Sequence, residues 1–196
     1  MFSKRKAEPL AATSVGTVED PSRPETVDAE TGLGNHRQFN DLLRREIARG
    51  MRYGDRSALV VFDMRVAGFR PTQEEPDPPS PARFVASTLI KQARETDVVA
   101  RLDLTHFAVF LTESDADGAD IFMERVRTAI SKAPYARNIN GNGIYARAWG
   151  GYVDWRPEFT TPATYVGAAM DALDRARAAH VAAEDRFAGS STERAS

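Results

Sequence analysis

Two β-rich runs separated by a short polar break set the strongest constraint on what this chain can fold into. The runs are residues 98–102 and 107–111, and the break between them is residues 103–105. β-Branched and aromatic residues favour strands, and a short polar link between two such runs is typical of a β-hairpin. The pattern therefore predicts two neighbouring antiparallel strands near the middle of the chain.

Composition narrows the class of protein. The 196 residues are 42% hydrophobic and 28% charged, with a net charge of −2 and no cysteine. This suits one globular domain, excludes disulfides and thiolate metal sites, and gives no basic surface for nucleic acid or an anionic membrane. The basic start at residues 1–6 is not followed by the apolar core of a signal peptide, and no run approaches a membrane span. We therefore expect a cytoplasmic protein.

Periodicity predicts the order helix, strand, helix, hairpin, helix, strand, helix, which is typical of a sheet covered by helices. Met51 and Ile90 are counted among the apolar residues of the first and second helices, and strands are predicted over residues 58–63 and 145–153. Residues suited to cap the helices are Asn35, Ser114 or Asp115, and Thr161.

Two stretches of the chain, one of which contains the predicted hairpin, resemble a known family. Residues 28–39 read D-A-E-T-G-L-G-N-H-R-Q-F, and residues 94–111 contain R-E-T-D, then V-A-R, then Phe107 and a second strand. Both are similar to GGDEF domains, the diguanylate cyclase family. The resemblance covers roughly residues 28–181. It implies an α/β fold (an α+β sandwich) like that of nucleotidyl cyclases, with a central, mostly antiparallel sheet of about five strands flanked by helices.

The resemblance also sets domain boundaries. Residues 1–27 lack periodicity and are predicted to be a flexible N-terminal tail, residues 28–187 a degenerate GGDEF domain, and residues 188–196 a C-terminal tail. Residues 178–184 favour a helix where the family has a closing strand.

The catalytic turn of the family is replaced. Its signature, Gly-Gly-(Asp/Glu)-Glu, is represented here by Asp103, Leu104, Thr105 and His106. Glycines let phosphate approach the turn, whereas an aspartate adds negative charge and a leucine adds bulk. His106 is interpreted as an exposed turn histidine without a partner.

The metal site of the family is also incomplete. The resemblance implies that Asp63 stands where a magnesium-binding aspartate would be, that Arg65 replaces a second acid, and that Arg177 replaces a phosphate-holding lysine. Joining two GTP molecules needs several carboxylate ligands for the metal ions, but Thr105 supplies only a neutral hydroxyl. We therefore expect no cyclase activity, no bound metal and no cofactor.

A proline-rich segment stands where the family grips the substrate guanine. Residues 70–81 contain five prolines, which disfavour both helix and central strand. We interpret this segment as a solvated loop.

A second nucleotide site of the family is represented in the chain. The resemblance implies that Arg94 and Asp97 form an R-x-x-D motif that binds the product, cyclic di-GMP, together with Arg125 from the following helix. An arginine fork pairs with the O6 and N7 edge of guanine, and a carboxylate accepts from its N–H groups. The chain is therefore interpreted as an inactive signalling domain that acts as a cyclic di-GMP receptor.

Two other interpretations remain open. Arg-x-x-Asp at a helix end is also a common salt-bridging pattern. A domain that has lost catalysis can serve as a protein–protein interaction module with no nucleotide ligand. A protein partner is expected in either case, and a homodimer is left open.

Overall fold

The structure, a computed structural model, describes residues 25–66, 80–138 and 140–192. In chain order, the elements are β1 (Gly34–Asn35), α1 (His36–Tyr53), β2 (Ser57–Val66), α2 (Pro81–Gln92), β3 (Val98–Arg101), β4 (His106–Thr112), α3 (Ala116–Lys132), β5 (Ala136–Arg137), β6 (Gly143–Ile144), β7 (Ala146–Asp154) and α4 (Pro162–Thr192).

Five strands form the central sheet, in the order β1-β3-β4-β2-β7. The short β1 runs parallel to β3, and every other neighbouring pair is antiparallel. The strands β5 and β6 form a separate two-stranded ribbon. The predicted architecture, a mostly antiparallel sheet of about five strands flanked by helices, is confirmed.

The predicted hairpin is formed by β3 and β4. Val98 lies opposite Phe110 and Arg101 lies opposite Phe107. The turn between the strands spans residues 102–105, one residue longer than the predicted break, because Leu102 leaves the ladder. The Leu102 amide still donates to the His106 carbonyl, at 2.8 Å.

Both faces of the sheet are buried because helices cover both. In β2, alternate side chains belong to opposite hydrophobic clusters, as the two-residue period of a strand requires. Phe62 packs on the side of α2 and α3, together with Val85 and Phe122, whereas the other side holds Phe39 and Tyr165 from α1 and α4. The core therefore consists of two layers with β2 between them.

Helix caps agree with the sequence pattern. The Asn35 carboxamide oxygen accepts from the Arg37 and Gln38 amides, and Asp115, rather than Ser114, caps α3. The Thr161 hydroxyl accepts from the Thr164 amide at the start of α4. As predicted, α4 continues through residues 178–184.

Two apolar residues were assigned to the core wrongly. Ile90 is 54% exposed because the buried face of α2 ends with Leu89, and the next residue lies about 100° further round the helix. Met51 is 53% exposed because the last turn of α1 buries Gly50 instead. A β-carbon at Gly50 would lie only 2.8 Å from the Trp155 ring.

Regular structure extends past both ends of the domain predicted over residues 28–187. Glu25 and Thr26 accept hydrogen bonds from Asn35, and Val27 forms a β-bridge with Gly34, all before residue 28. At the other end, α4 runs to Thr192, past the predicted boundary at residue 187. A loop was predicted over residues 70–81, of which residues 70–79 lie outside the described part of the chain. Ser80 caps α2, and Pro81 is the first residue of that helix. No helix in the described part of the chain is long and apolar enough to cross a membrane.

Candidate functional site

The turn between β3 and β4 is organised by the carboxylate of Asp103. One oxygen of this carboxylate accepts from the Thr105 amide at 2.9 Å and from the His106 amide at 2.8 Å. Burial acts to raise the pKa of Asp103, but these amides and the His106 ring hold that pKa below its usual value. A carboxylate thus closes the turn from inside, at a position where the family has a glycine.

His106 has a partner, so its interpretation as an exposed, unpartnered histidine was wrong. Its Nδ1 lies 2.9 Å from the other carboxylate oxygen of Asp103, and the side chain is only 19% exposed. The tight turn folds the ring back over the aspartate. Leu104, in contrast, is 82% exposed at the tip of the turn.

Arg101 holds the turn through hydrogen bonds to its backbone. It was not predicted from the sequence as a site residue. Its side chain is 6% exposed. Nε donates to the Asp103 carbonyl at 3.0 Å and Nη2 donates to the Leu104 carbonyl at 3.1 Å. These contacts, with those from the Asp103 carboxylate, hold the turn in one conformation.

The same arginine joins the turn to the loop before β1. Its Nη1 donates to Asp28 at 3.1 Å and also to Glu30, whose carboxylate accepts from the Ser80 hydroxyl as well. Arg101 and Asp28 both fall in segments that resemble the family, but their pairing across 73 positions leaves no signal in a single sequence. This cluster, defined as Arg101, Asp28 and Glu30, is called the turn clasp below.

Arg101 stabilises the charged forms of both carboxylates in the turn clasp. Burial acts to raise the pKa of Asp28, but hydrogen bonds from Thr31 and Arg101 lower it overall. Hydrogen bonds from Ser80 and Arg101 lower the pKa of Glu30. Both carboxylates therefore stay ionised, and the turn clasp is a structural support whose charges are already mutually satisfied.

The positions that the resemblance aligns with the catalytic site of the family lie close together. Asp63 lies opposite His106 in the pairing of β2 with β4, and the Met64 amide donates to the Thr105 carbonyl at 2.9 Å. Asp63 is fully buried, and Arg177 from α4 places Nη1 at 3.1 Å from its carboxylate. The structure therefore brings Asp63, Arg177 and the turn together.

This arrangement does not fit a magnesium ion. Mg²⁺ needs oxygen ligands with several negative charges, whereas the guanidinium of Arg177 already neutralises the Asp63 carboxylate. Thr105 adds no charge, and the Asp103 carboxylate is occupied by the turn amides and His106. No group of three histidine, aspartate or glutamate residues suited to a metal occurs in the described ranges.

The three residues predicted to bind cyclic di-GMP line one cleft. Arg94, Asp97 and Arg125 surround a recess of about 90 Å³ between the end of α2, the start of β3 and α3. Both arginine side chains are exposed. The recess is smaller than the roughly 300–1,000 Å³ of pockets that enclose a whole ligand. A recess of this size can take in the edge of a base, while the rest of a ligand stays outside it.

Asp97 is fixed by the backbone around it. One carboxylate oxygen accepts from the Arg94 amide at 2.8 Å and the other from the Thr112 amide at 3.2 Å. Among the described residues, no ion pair joins the side chains of Arg94 and Asp97, so the motif is not the helix-end salt bridge considered above. Asp97 instead ties the loop after α2 to the last residue of β4.

Arg125 is positioned by α2 and by its own helix. Its Nη2 donates to the Gln92 carbonyl at 2.8 Å, and the guanidinium carbon lies 5.7 Å from the centre of the Phe122 ring. This places a second guanidinium beside Arg94. The cleft and the turn sit at opposite ends of β3, which is about 13 Å long for four residues, so they are separate sites.

Comparisons with known proteins match part of this chain to a protein family. Residues 83–182, just over half of the chain, match the family described as "Diguanylate cyclase, GGDEF domain". Diguanylate cyclase DgcP of Pseudomonas aeruginosa is 27% identical over 121 residues, which are 60% of this chain and 18% of DgcP. The chain therefore spans less than a fifth of that relative.

Solved structures share the fold. The GGDEF domain of DgcB from Caulobacter crescentus, in complex with c-di-GMP, has a TM-score of 0.67 at 22% identity, covering 80% of this chain and 92% of that chain. Diguanylate cyclase SiaD from Pseudomonas aeruginosa, in complex with its activator SiaC, has a TM-score of 0.65 at 23% identity, covering 78% and 58%. At these identities the likeness shows the fold.

Proposed function

Since this chain belongs to the GGDEF domain family, we propose that it is a catalytically inactive member that acts as a receptor for cyclic di-GMP. The single observation that carries the proposal is the shared cleft of Arg94, Asp97 and Arg125. The DgcB domain, which has the same fold, was solved with c-di-GMP.

The chemistry of the cleft suits a guanine base with a nearby phosphate. An arginine fork donates two parallel hydrogen bonds to guanine O6 and N7, and the exposed Arg94 can reach such an edge. Asp97 accepts one amide hydrogen on each oxygen, which leaves further lone pairs for the N1 and N2 hydrogens of guanine. Arg125 adds a second cation for a phosphate.

Loss of catalysis is supported by the former metal site. Phosphoryl transfer depends on metal ions that neutralise the triphosphate. Here Arg177 pairs with Asp63, and the side chains of Asp103 and His106 pair with each other. A metal ion or triphosphate that reaches these residues meets side chains that already pair with each other.

Calorimetric titration with cyclic di-GMP tests the proposal. We expect saturable binding to the wild type, loss of about tenfold or more in affinity in Arg94→Ala and in Arg125→Ala, and no change in Arg127→Ala. Arg127 is the matched control because it is an exposed arginine on the same helix. No binding at concentrations of about tens of micromolar would contradict the proposal. So would binding that survives Arg94→Ala but is lost in Asp63→Ala.

The same titration separates the receptor from an interaction module without a nucleotide ligand. SiaD was solved with a protein activator, which shows that a protein of this fold can carry a protein partner. A chain that binds no cyclic di-GMP but still captures a partner through its surface would favour that second function.

A further inference from the structure

The outer edge of β7 is open along its length. This strand stands at one end of the sheet and pairs with β2 from Ala146 opposite Val66 to Asp154 opposite Ala58. On its other side, no strand pairs with it within the described ranges. Backbone N–H and C=O groups on that side therefore point away from the sheet, and such a row is a template for another strand.

The sequence of β7 lacks the usual protection of an edge strand. Natural edges are blunted by proline, by lysine, by bulges or by very short length. β7 is nine residues long, contains no proline or lysine, and carries charge only at Arg147 and Asp154, near its two ends. At the opposite edge, β1 has only two residues.

Helices press tightly on both faces of β7, so its edge is the part left accessible. A β-carbon at Gly150 would lie 2.5 Å from the Met123 sulfur of α3. At Gly151 it would lie 2.1 Å from the backbone nitrogen of Leu173 in α4. An added side chain would clash on either face.

A groove of about 590 Å³ lies along the first half of this edge, at residues 146–150. The wall on one side includes Asp120 and Glu124 from α3, the wall on the other includes Ala176 and His180 from α4, and the floor includes Arg147 and Trp149. Helices that cover opposite faces of the sheet thus project past the edge strand and enclose the same groove. Its volume lies within the range of about 300–1,000 Å³ typical of binding clefts.

The α3 wall of the groove is acidic. Glu124 is paired with Arg127 at 2.6 Å, whereas Asp117 and Asp120 enter no ion pair among the described residues. Burial, with the carboxylates of Asp120 and Asp117, raises the pKa of the Tyr152 hydroxyl on this side of β7. The α3 side of β7 therefore keeps negative charge, which attracts basic side chains, while Arg147 lies on the same face of the strand as Trp149, towards α4.

We propose that the edge of β7 docks an extended segment of a partner protein, which carries basic side chains at alternate positions and adds to the sheet as a further strand. Alternate residues of an added strand face the same wall, so every second side chain meets the acidic α3 wall. The remaining side chains lie towards Trp149, which packs with the α4 cluster and suits apolar residues. This surface does not include Arg94, Asp97 or Arg125, so the proposal is independent of nucleotide binding.

A second copy of the chain fits this edge less well. Two copies of β7 pairing antiparallel about a two-fold axis normal to the sheet place both α3 helices on the same face. The aspartates of the two α3 walls would then approach each other, and like charges side by side oppose association.

The test uses the full chain, labelled with ¹⁵N, and a blocked peptide in which lysine and valine alternate over eight residues. We expect binding, with slower amide hydrogen exchange at residues 146–154. The Asp120→Lys variant should bind about threefold to tenfold more weakly, because an attraction becomes a repulsion. Asp41→Lys is the matched control, an exposed aspartate on α1, and should bind like the wild type.

Two control peptides separate strand addition from simple charge attraction. A peptide of alternating glutamate and valine, and a lysine–valine peptide with every backbone nitrogen methylated, should both fail to protect β7. Protection of β7 by the methylated peptide, equal binding of the acidic one, or no binding at all would overturn the proposal. Protection of β7 that grows with protein concentration, without peptide, would place a second copy there and would overturn it too.

Discussion

The guanidinium of Arg177 lies 3.1 Å from the carboxylate of Asp63, which is completely buried within β2. A buried carboxylate needs a compensating partner, and in this chain a side chain of α4 supplies the positive charge. The pair ties α4 to the sheet at the position where the resemblance implies a metal ligand.

We predict that the purified chain makes no cyclic di-GMP from GTP with Mg²⁺ or Mn²⁺. The quadruple variant Asp103→Gly, Leu104→Gly, Thr105→Asp, His106→Glu should be equally inactive, because it rebuilds the turn but leaves Arg177 on Asp63. Nucleotide products separated by chromatography give the measurement. Product formed above a no-protein control, and abolished by Asp63→Ala, would contradict the first part. Turnover in the quadruple variant would contradict the second.

We predict that Arg177→Met lowers the free energy of unfolding by about 1–3 kcal/mol. The value is below that for a fully buried pair because the Arg177 side chain is 36% exposed. Arg175→Met, an exposed arginine on the same helix, is the matched control and should have little effect.

Denaturant unfolding of both variants, repeated in an Asp63→Asn background, isolates the pair. The cost of Arg177→Met should shrink in that background, since the charge it compensates is gone. An unchanged cost would mean that Arg177 stabilises the fold through contacts other than Asp63.

Local patterns were enough to predict the hairpin, the helix caps and most of the core. Each depends on residues close together in the chain, such as Asn35 and the amides of Arg37 and Gln38. The overall resemblance then placed Arg94, Asp97 and Arg125 in a common site, and they do line one cleft.

Long-range pairings were beyond the sequence. Arg101 and Asp28 are 73 positions apart, and neither residue type identifies which residue it pairs with. The His106–Asp103 contact is local, but it depends on how tightly the turn closes, which the residue types alone do not determine. Ile90 was misplaced because the apolar stripe of α2 is narrower than its composition suggests.

We predict that Arg94→Lys weakens cyclic di-GMP binding about as much as Arg94→Ala. An ammonium cannot form the planar fork that guanine requires, although it keeps the charge. Neither change should affect folding, because Arg94 is exposed. Titration calorimetry and thermal unfolding of the same samples give the two readouts. Full binding by Arg94→Lys would show that only the charge matters.

We predict that Asp97→Asn lowers both affinity and stability. Both carboxylate oxygens of Asp97 accept backbone amides, from Arg94 and Thr112, and an amide side chain can accept at only one of its two ends. The cost in stability should be about 1–3 kcal/mol, measured by denaturant unfolding. An unaltered stability would mean that the contacts of Asp97 with the Arg94 and Thr112 amides are dispensable.

We predict that the turn clasp makes the fold sensitive to acid. In the folded chain, burial acts to raise the pKa of Asp28, but hydrogen bonds from Thr31 and Arg101 lower it overall. Hydrogen bonds from Ser80 and Arg101 lower the pKa of Glu30. A lowered pKa gives stability that is present above the unfolded values, about 3.9 and 4.3, and is lost as the pH falls through the folded values.

Thermal unfolding of the wild type between about pH 7 and pH 3 checks this prediction. The double variant Asp28→Asn, Glu30→Gln should be less stable at neutral pH and should lose less on acidification. Asp41→Asn, on the exposed face of α1, serves as the control and should keep the wild-type slope. An equally steep acid loss in the double variant would assign the sensitivity to other carboxylates.

We predict opposite effects for two glycine substitutions that bear on the packing of α4. Gly151→Ala should destabilise the fold by about 1–3 kcal/mol, because the new methyl group would lie 2.1 Å from the Leu173 backbone nitrogen, which cannot move without shifting the helix. Gly167→Ala should stabilise it by about 0.5–1 kcal/mol, because Gly167 lies within α4 and a β-carbon there meets nothing within 4 Å. Denaturant unfolding of both variants measures the difference. Equal stabilities would mean that α4 is not seated against β7 as closely as the glycine contacts require.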